Sequence, residues 1–360
     1  MESFTASIRL QAAGSPLSSG ASASALLPLV EFGSNPGALN GWCHVPDRGS
    51  DIPLVVVLHG CTQTAAGYDR GAGWSELAEQ HGFALLFPEQ QRANNPNLCF
   101  NWFVPGDTAR DDGEALSIRQ MIGAMLARHA IDSRRIFITG LSAGGAMTSV
   151  MLATYPELFA GGGIIAGLPY GAATSVTQAL QRMRGQGHAD ADTSAALLRA
   201  ASLHAGPWPT VSVWHGDADT TVAPLNADAI VDQWRTLHGA AQQPDLVELI
   251  DGHRRRVWLD GSGREAIEEY RVAAMGHGTP LSTRGDDACG TAGPHMLEAG
   301  ISSTVRLARQ WGLLDTAPRR VLPKPDLANA PIPLRSAAKG PAATVQDTIE
   351  MALRTAGLMR

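Results

Sequence analysis

The segment ITGLSAGGAM places Ser142 between Gly140 and Gly144, directly after the apolar run Ile136, Phe137, Ile138 and ahead of residues with helical spacing. In that setting a G-x-S-x-G pentapeptide makes a strained strand-to-helix turn that exposes the serine hydroxyl, and small residues are needed because the backbone approaches itself closely there. A serine hydroxyl is a weak nucleophile near neutral pH, so a base and an orienting carboxylate must accompany it. In this kind of site they follow in the order Ser, Asp, His. The loop HGDADTTV offers Asp217 and Asp219. Asp219 is preferred because Gly216 can make the turn and Asp219 lies deeper in the loop; Asp217 stays as the second candidate, otherwise a solvated turn residue. Three histidines follow. His277 is favoured, since Gly276 and Gly278 let a loop carry its ring over Ser142; His253, among three arginines, reads as solvated and His295 as a packing residue.

A developing oxyanion needs two backbone N–H donors. Ala143, after the nucleophile, supplies one, and Cys61, after Gly60 in VVVLHGCTQT, supplies the other. CFNWF sets polar Asn101 beside three aromatics, Trp102 among them, as either a substrate wall or ordinary core packing would. GGGIIAG at 161–167 reads as a close-packed strand, not a nucleotide loop, and the acids at 106–114 match no calcium loop. The four cysteines show no zinc-ligand spacing, and acyl-enzyme chemistry on a serine requires neither a metal nor an organic cofactor, so none is expected.

Elements that alternate between strand and helix must hold these residues. Continuous apolar runs at 54–58, 83–87, 135–139, 162–166, 210–214 and 267–272 are separated by helical patterns at 74–81, 114–129, 145–154 and 227–237, with a last helix at 301–311. Strands apolar on both faces predict a mostly parallel sheet flanked by helices, an α/β fold. Asp251-Gly252 predicts a hairpin turn. Residues 170–208 break the alternation and read as a cap-like helical insertion after the sixth strand. Around the catalytic part at 30–315 lie a loose N-terminal arm at 1–29, a proline-rich linker at 316–343 and an amphipathic helix at 344–360, where Val345, Ile349, Ala352, Leu353 and Ala356 share a face.

With 44% hydrophobic residues and a net charge of −6, the chain can bury a large core and has no basic footprint for nucleic acid. No apolar run is long enough to span a membrane, and no secretory signal is evident. A cytoplasmic location is therefore expected, with secretion as the alternative.

The motifs LHGCTQTA, NPNLCFNWF, GLSAGGAM, HGDADTTV and AMGHGTPL, with CGTAGPHMLEAGISST beyond them, together resemble the esterases of the poly(3-hydroxybutyrate) depolymerase family, from about Gly33 to Leu314. The resemblance implies an α/β-hydrolase with Ser142, Asp219 and His277 as its triad and the amides of Cys61 and Ala143 as its oxyanion hole. It also implies that Trp102 borders the ester cleft and that Cys61 and Cys99 correspond to a disulfide of secreted relatives. The expected substrate is poly(3-hydroxybutyrate) or its oligomers. A feruloyl or acetylxylan type of carboxylesterase is one alternative; a non-catalytic protein of polymer-granule surfaces, docking through the C-terminal tail, is another.

Overall fold

The computed structural model describes residues 25–47 and 49–314. In chain order β1 (Leu27–Leu29), β2 (Asn40–His44) and β3 (Ile52–Leu58) are followed by helices α1 (Ala65–Ala72) and α2 (Trp74–His81), then β4 (Ala84–Glu89). Next come α3 (Pro105–Thr108), α4 (Gly113–Arg128), β5 (Ile131–Leu141), α5 (Ala143–Thr154) and β6 (Gly161–Ile165). Helices α6 (Val176–Met183) and α7 (Ala191–Ala200) precede β7 (Thr210–Gly216), α8 (Leu225–His238), β8 (Leu246–Ile250), β9 (His253–Leu259) and β10 (Glu265–Val272). The short strands β11 (Thr279–Leu281) and β12 (Met296–Glu298) and helix α9 (Ser303–Gln310) complete the described chain.

Among the described residues ten strands form one sheet in the order β1-β2-β4-β3-β5-β6-β7-β10-β9-β8. Its centre, from β4 to β10, is parallel. Antiparallel pairs close both edges. This is the α/β-hydrolase architecture read from the sequence, and β3 shows why it forms. Every residue of β3 is buried. Leu54, Val56 and Leu58 join the core on one face of the sheet while Val55 and Val57 join the core on the other, as side chains that alternate across a strand must. On the second face Trp311 stacks on Phe137 and Trp74, with ring centroids 4.8 and 6.3 Å apart, which docks the end of α9.

Helix α5 is buried along its whole length. Its hydroxyls are satisfied within the fold: Thr148 and Thr154 donate to the carbonyls of Gly144 and Val150, and Ser149 to that of Leu168. A Cβ added at Gly144 would lie 2.5 Å from the carbonyl oxygens of both Leu58 and His59. Only glycine lets the start of α5 press against the end of β3, and this contact brings the serine turn beside the loop after β3.

The segment at 170–208 carries α6 and α7. Two boundaries differ from the sequence reading. The catalytic part reaches back before residue 30, because β1 pairs with β2 in the register Leu27↔Cys43 to Leu29↔Gly41 and Leu29 is buried. Helix α1, unanticipated, is capped by Thr64, whose side chain accepts from the Gly67 N–H. The linker expected at 316–343, the helix at 344–360 and residues 1–24 of the arm lie outside the described residues. Among those described, no helix is long and apolar enough to cross a membrane.

Candidate active site

Strand β5 ends and α5 begins at Ser142, whose φ of 57° and ψ of −119° are strained for a residue with a side chain. Its N–H donates to the Ile165 carbonyl of the neighbouring strand and its own carbonyl accepts from Ala146, so the turn is held from both sides. Strand β7 ends in the loop that carries the acid. There the Asp219 side chain, fully buried, accepts three hydrogen bonds: from the N–H groups of Thr221 and Val222 at 2.8 and 2.9 Å on Oδ1, and from His277 Nδ1 at 2.8 Å on Oδ2; His215 Nε2, which bonds to the Val222 carbonyl at 2.8 Å, also lies 3.3 Å from Oδ2. Burial alone would raise its pKa, but the two neighbouring histidines, His215 and His277, outweigh burial and hold the carboxyl well below the usual carboxylate range. An ionised carboxylate can only accept, so His277 carries its proton on Nδ1 and presents a lone pair at Nε2. That Nε2 is buried and has no partner among the described residues. It lines a small recess together with Ser142.

The loops of the acid and the histidine are sewn together. Asp217 N–H donates to the Val272 carbonyl, Ala218 N–H to that of Met275, and Asp217 Oδ1 accepts from Ala274 N–H at 2.7 Å. Asp217, the second candidate acid, is thus a staple between loops, away from the imidazole. A Cβ at Gly216 would meet the Met275 carbonyl oxygen at 2.1 Å, so glycine is required for this approach.

Neither the Cys61 nor the Ala143 N–H has an acceptor among the described residues. Ala143 is also the first residue of α5, where the helix dipole favours negative charge. Cys61 is held in place by a disulfide to Cys99 and by the neighbouring Thr62 N–H, which donates to the Asn97 carbonyl at 2.7 Å. These two links join the loop after β3 to the segment that forms the cleft wall.

That cleft, of about 260 Å³, has Ser142 and Ala143 on its surface. Trp102 and Val104 line it from one segment, Leu180 and Met183 from α6. Asn101 also lines it, but its side chain is engaged by Asn95 Nδ2 at 2.9 Å. Beneath the wall lies Glu114, wholly buried at the start of α4. It accepts from Gln90 Nε2 at 2.6 Å, Asn94 Nδ2 at 3.3 Å and the Asn101 N–H at 2.9 Å. Burial, and then the nearby Asp107 carboxylate, push its pKa up to about 8.

Several residues near the site escaped the sequence reading. His215 adds a second imidazole to Asp219. His59, immediately before Gly60, donates from Nδ1 to the Gly60 carbonyl at 2.7 Å and accepts the Gln90 N–H on Nε2; burial lowers its pKa and keeps it neutral. His295, read as a packing residue, instead donates from Nδ1 to the His277 carbonyl at 3.2 Å and lines the recess beside Ser142. His253 is not solvated as expected. It is buried at the start of β9, donating from Nε2 to the Ala299 carbonyl and accepting the Ala273 N–H on Nδ1, which leaves no nitrogen for catalysis. Among the described residues no cluster of three His, Cys, Asp or Glu side chains is placed to hold a metal ion.

Glu114 generates a pH prediction. Its folded pKa of about 8 lies above the ordinary 4.5, so the folded protein binds more protons than the unfolded chain between those values. Its contribution to stability therefore falls as pH rises through that window. Urea unfolding at pH 5 and pH 8 should show a smaller loss of stability for Glu114→Gln than for the unsubstituted protein; equal losses would contradict the assignment of this buried acid.

The chain is similar to known proteins. A family model described as esterase PHB depolymerase matches residues 46–246. The chain is 44% identical over 299 residues to poly(3-hydroxyalkanoate) depolymerase C of Paucimonas lemoignei, covering 82% of this chain and 72% of that protein. Feruloyl esterase B of Talaromyces funiculosus is 28% identical over 268 residues, 72% of this chain and 74% of its own. The solved acetyl xylan esterase from Aspergillus awamori superposes with a TM-score of 0.64 at 27% identity, covering 70% of this chain and 93% of that one. Fold, site and likeness converge, and the chain belongs to the PHB depolymerase family of esterases, as a carboxylic ester hydrolase.

Proposed function

We propose that the protein hydrolyses poly(3-hydroxybutyrate) or its oligomers through an acyl-enzyme formed on Ser142. The observation that carries this reading is the 2.8 Å bond from His277 Nδ1 to Asp219, which leaves Nε2 as a base in the recess that Ser142 shares. His277 Nε2 takes the Ser142 proton as Oγ attacks the ester carbonyl, and Asp219 stabilises the imidazolium that forms. The Cys61 and Ala143 amides receive the oxyanion. The imidazolium then protonates the leaving alcohol, and water releases the acid.

The substrate rests on other support. The relative at 44% identity is named a poly(3-hydroxyalkanoate) depolymerase, and the apolar lining from Leu180, Met183 and Val104 suits a methyl-branched aliphatic ester. Aromatic Trp102 on the same cleft keeps a feruloyl-type ester as the second reading. The intact acid–base pair speaks against a purely binding role. For location, the Cys61–Cys99 disulfide supports the secreted alternative over the cytoplasmic expectation, since cytosolic thiols are kept reduced.

Assays on amorphous poly(3-hydroxybutyrate), its soluble oligomers, and feruloyl and acetyl esters should show preference for the hydroxybutyrate substrates. Ser142→Ala should lose on the order of 10⁴-fold or more of the activity. Preference for the feruloyl ester would replace the substrate, and retained activity in the variant would remove the nucleophile. Thiol titration of the unreduced, denatured protein from its native host should find Cys43 and Cys289 reactive and Cys61 and Cys99 unreactive; four reactive thiols would contradict the oxidised location.

A further inference from the structure

The apolar cleft meets a second space at Ser142. That second space is a recess of about 10 Å³ with Gly60, Cys61, Gln63, Ser142, His277 and His295 on its wall. That volume is about one water site, too small for any part of an ester chain. Its wall is polar on several sides. His277, with only 6% of its side chain exposed, has its unpartnered Nε2 buried there. A carbonyl oxygen accepts, so His295 must place its proton on Nδ1 to bond to the His277 carbonyl, and its Nε2 is left as an acceptor. Gln63 uses Oε1 to accept from the Gly60 N–H at 2.8 Å, which leaves its amide N–H groups as donors.

We propose that this recess is the site of the deacylating water and that His295, with Gln63, is a positioning residue for it; the inference rests on the acyl-enzyme reading above. The donor and acceptor count closes. The water donates one proton to His277 Nε2 and the other to His295 Nε2, accepts from the Gln63 amide, and keeps one lone pair for the acyl carbonyl carbon. As that C–O bond forms, His277 takes the first proton; collapse of the tetrahedral species breaks the bond to Ser142 Oγ, which receives the same proton back, and the free acid leaves. His295 is built to stay in place. Its φ of 59° is a left-handed conformation costly for histidine. The turn is fixed by two hydrogen bonds between Gly293 and Met296 and by the Thr279 N–H, which donates to the His295 carbonyl at 2.8 Å. Its ring lies edge-on to that of His277, with centroids 5.9 Å apart.

The test uses a competing nucleophile. With p-nitrophenyl butyrate in aqueous methanol, butyrate and methyl butyrate arise from one acyl-enzyme, so their ratio reports only which nucleophile enters. A space sized for water discriminates against the extra methyl, and His295→Ala, which opens it, should shift the ratio toward methyl butyrate by roughly tenfold. His295→Asn, which keeps a donor near the His277 carbonyl while removing Nε2, should shift it in the same direction. His295→Phe, which refills the volume without nitrogen, should hold the ratio near that of the unsubstituted protein but slow deacylation, seen as a larger burst of p-nitrophenol relative to turnover. An unchanged ratio in both His295→Ala and His295→Asn, with the burst still present, overturns the water site and leaves the acyl-enzyme reading intact. Absence of any Ser142-bound acyl group in the unsubstituted protein removes both.

Discussion

Asp219 carries a charge into a place where water does not reach it, and the site is arranged around satisfying that charge. A buried carboxylate without partners would cost several kcal/mol or be protonated. Here two backbone amides and His277 supply three hydrogen bonds, and His215 Nε2 lies 3.3 Å from the carboxylate. Those groups come from the turn after β7, the end of β7 itself, and the loop after β10, so satisfying the carboxylate depends on the register of all three. The functional consequence follows from chemistry alone: an ionised partner that can only accept settles the tautomer of His277 and leaves its Nε2 as a base.

The same dependence explains the packing around the loops. Gly216 allows the acid loop to touch the Met275 carbonyl, Asp217 staples it to Ala274, and the Thr279 N–H ties the histidine loop to the turn at His295. On the opposite side of Ser142, Gly144 seats α5 against β3, and the Cys61–Cys99 bond joins the oxyanion loop to the cleft wall. The wall in turn rests on Glu114, a carboxyl that burial keeps protonated at neutral pH and that therefore adds hydrogen bonds without adding charge. Nucleophile, base and cleft are thus held by separate short-range contacts to the carboxyl ends of parallel strands.

Much of this was legible in the residues. Ser142 stood in a pentapeptide whose glycines have one physical explanation, and the apolar runs of β3, β5 and β6 could only be strands buried on both faces. Asp219 and His277 could be ranked by their places in glycine-bearing loops. What stayed hidden were residues whose role depends on contacts distant in sequence. His295 is a single histidine with no periodic signal, 18 residues from His277, whose carbonyl it bonds; His215, four residues before Asp219, was masked inside the apolar run of β7. His253 looked solvated among arginines because nothing local shows that Ala299 closes over it. Strands β11 and β12, three residues each, are too short to carry an alternating pattern, yet they set the turn that presents His295. Strand β1 was passed over because only one of its three residues is buried.

The central claim is that the Asp219 carboxylate fixes the imidazole, and steady-state kinetics of Asp219→Asn beside Asp217→Asn on a soluble hydroxybutyrate oligomer test it most directly. Asparagine can still accept from Thr221 and Val222 but no longer enforces the proton on Nδ1, so kcat should fall on the order of 10⁴-fold for Asp219→Asn. Asp217→Asn keeps an acceptor for the Ala274 N–H and should lose less than about tenfold. A comparable, mild loss in both variants, with the fold intact by circular dichroism, would contradict the account.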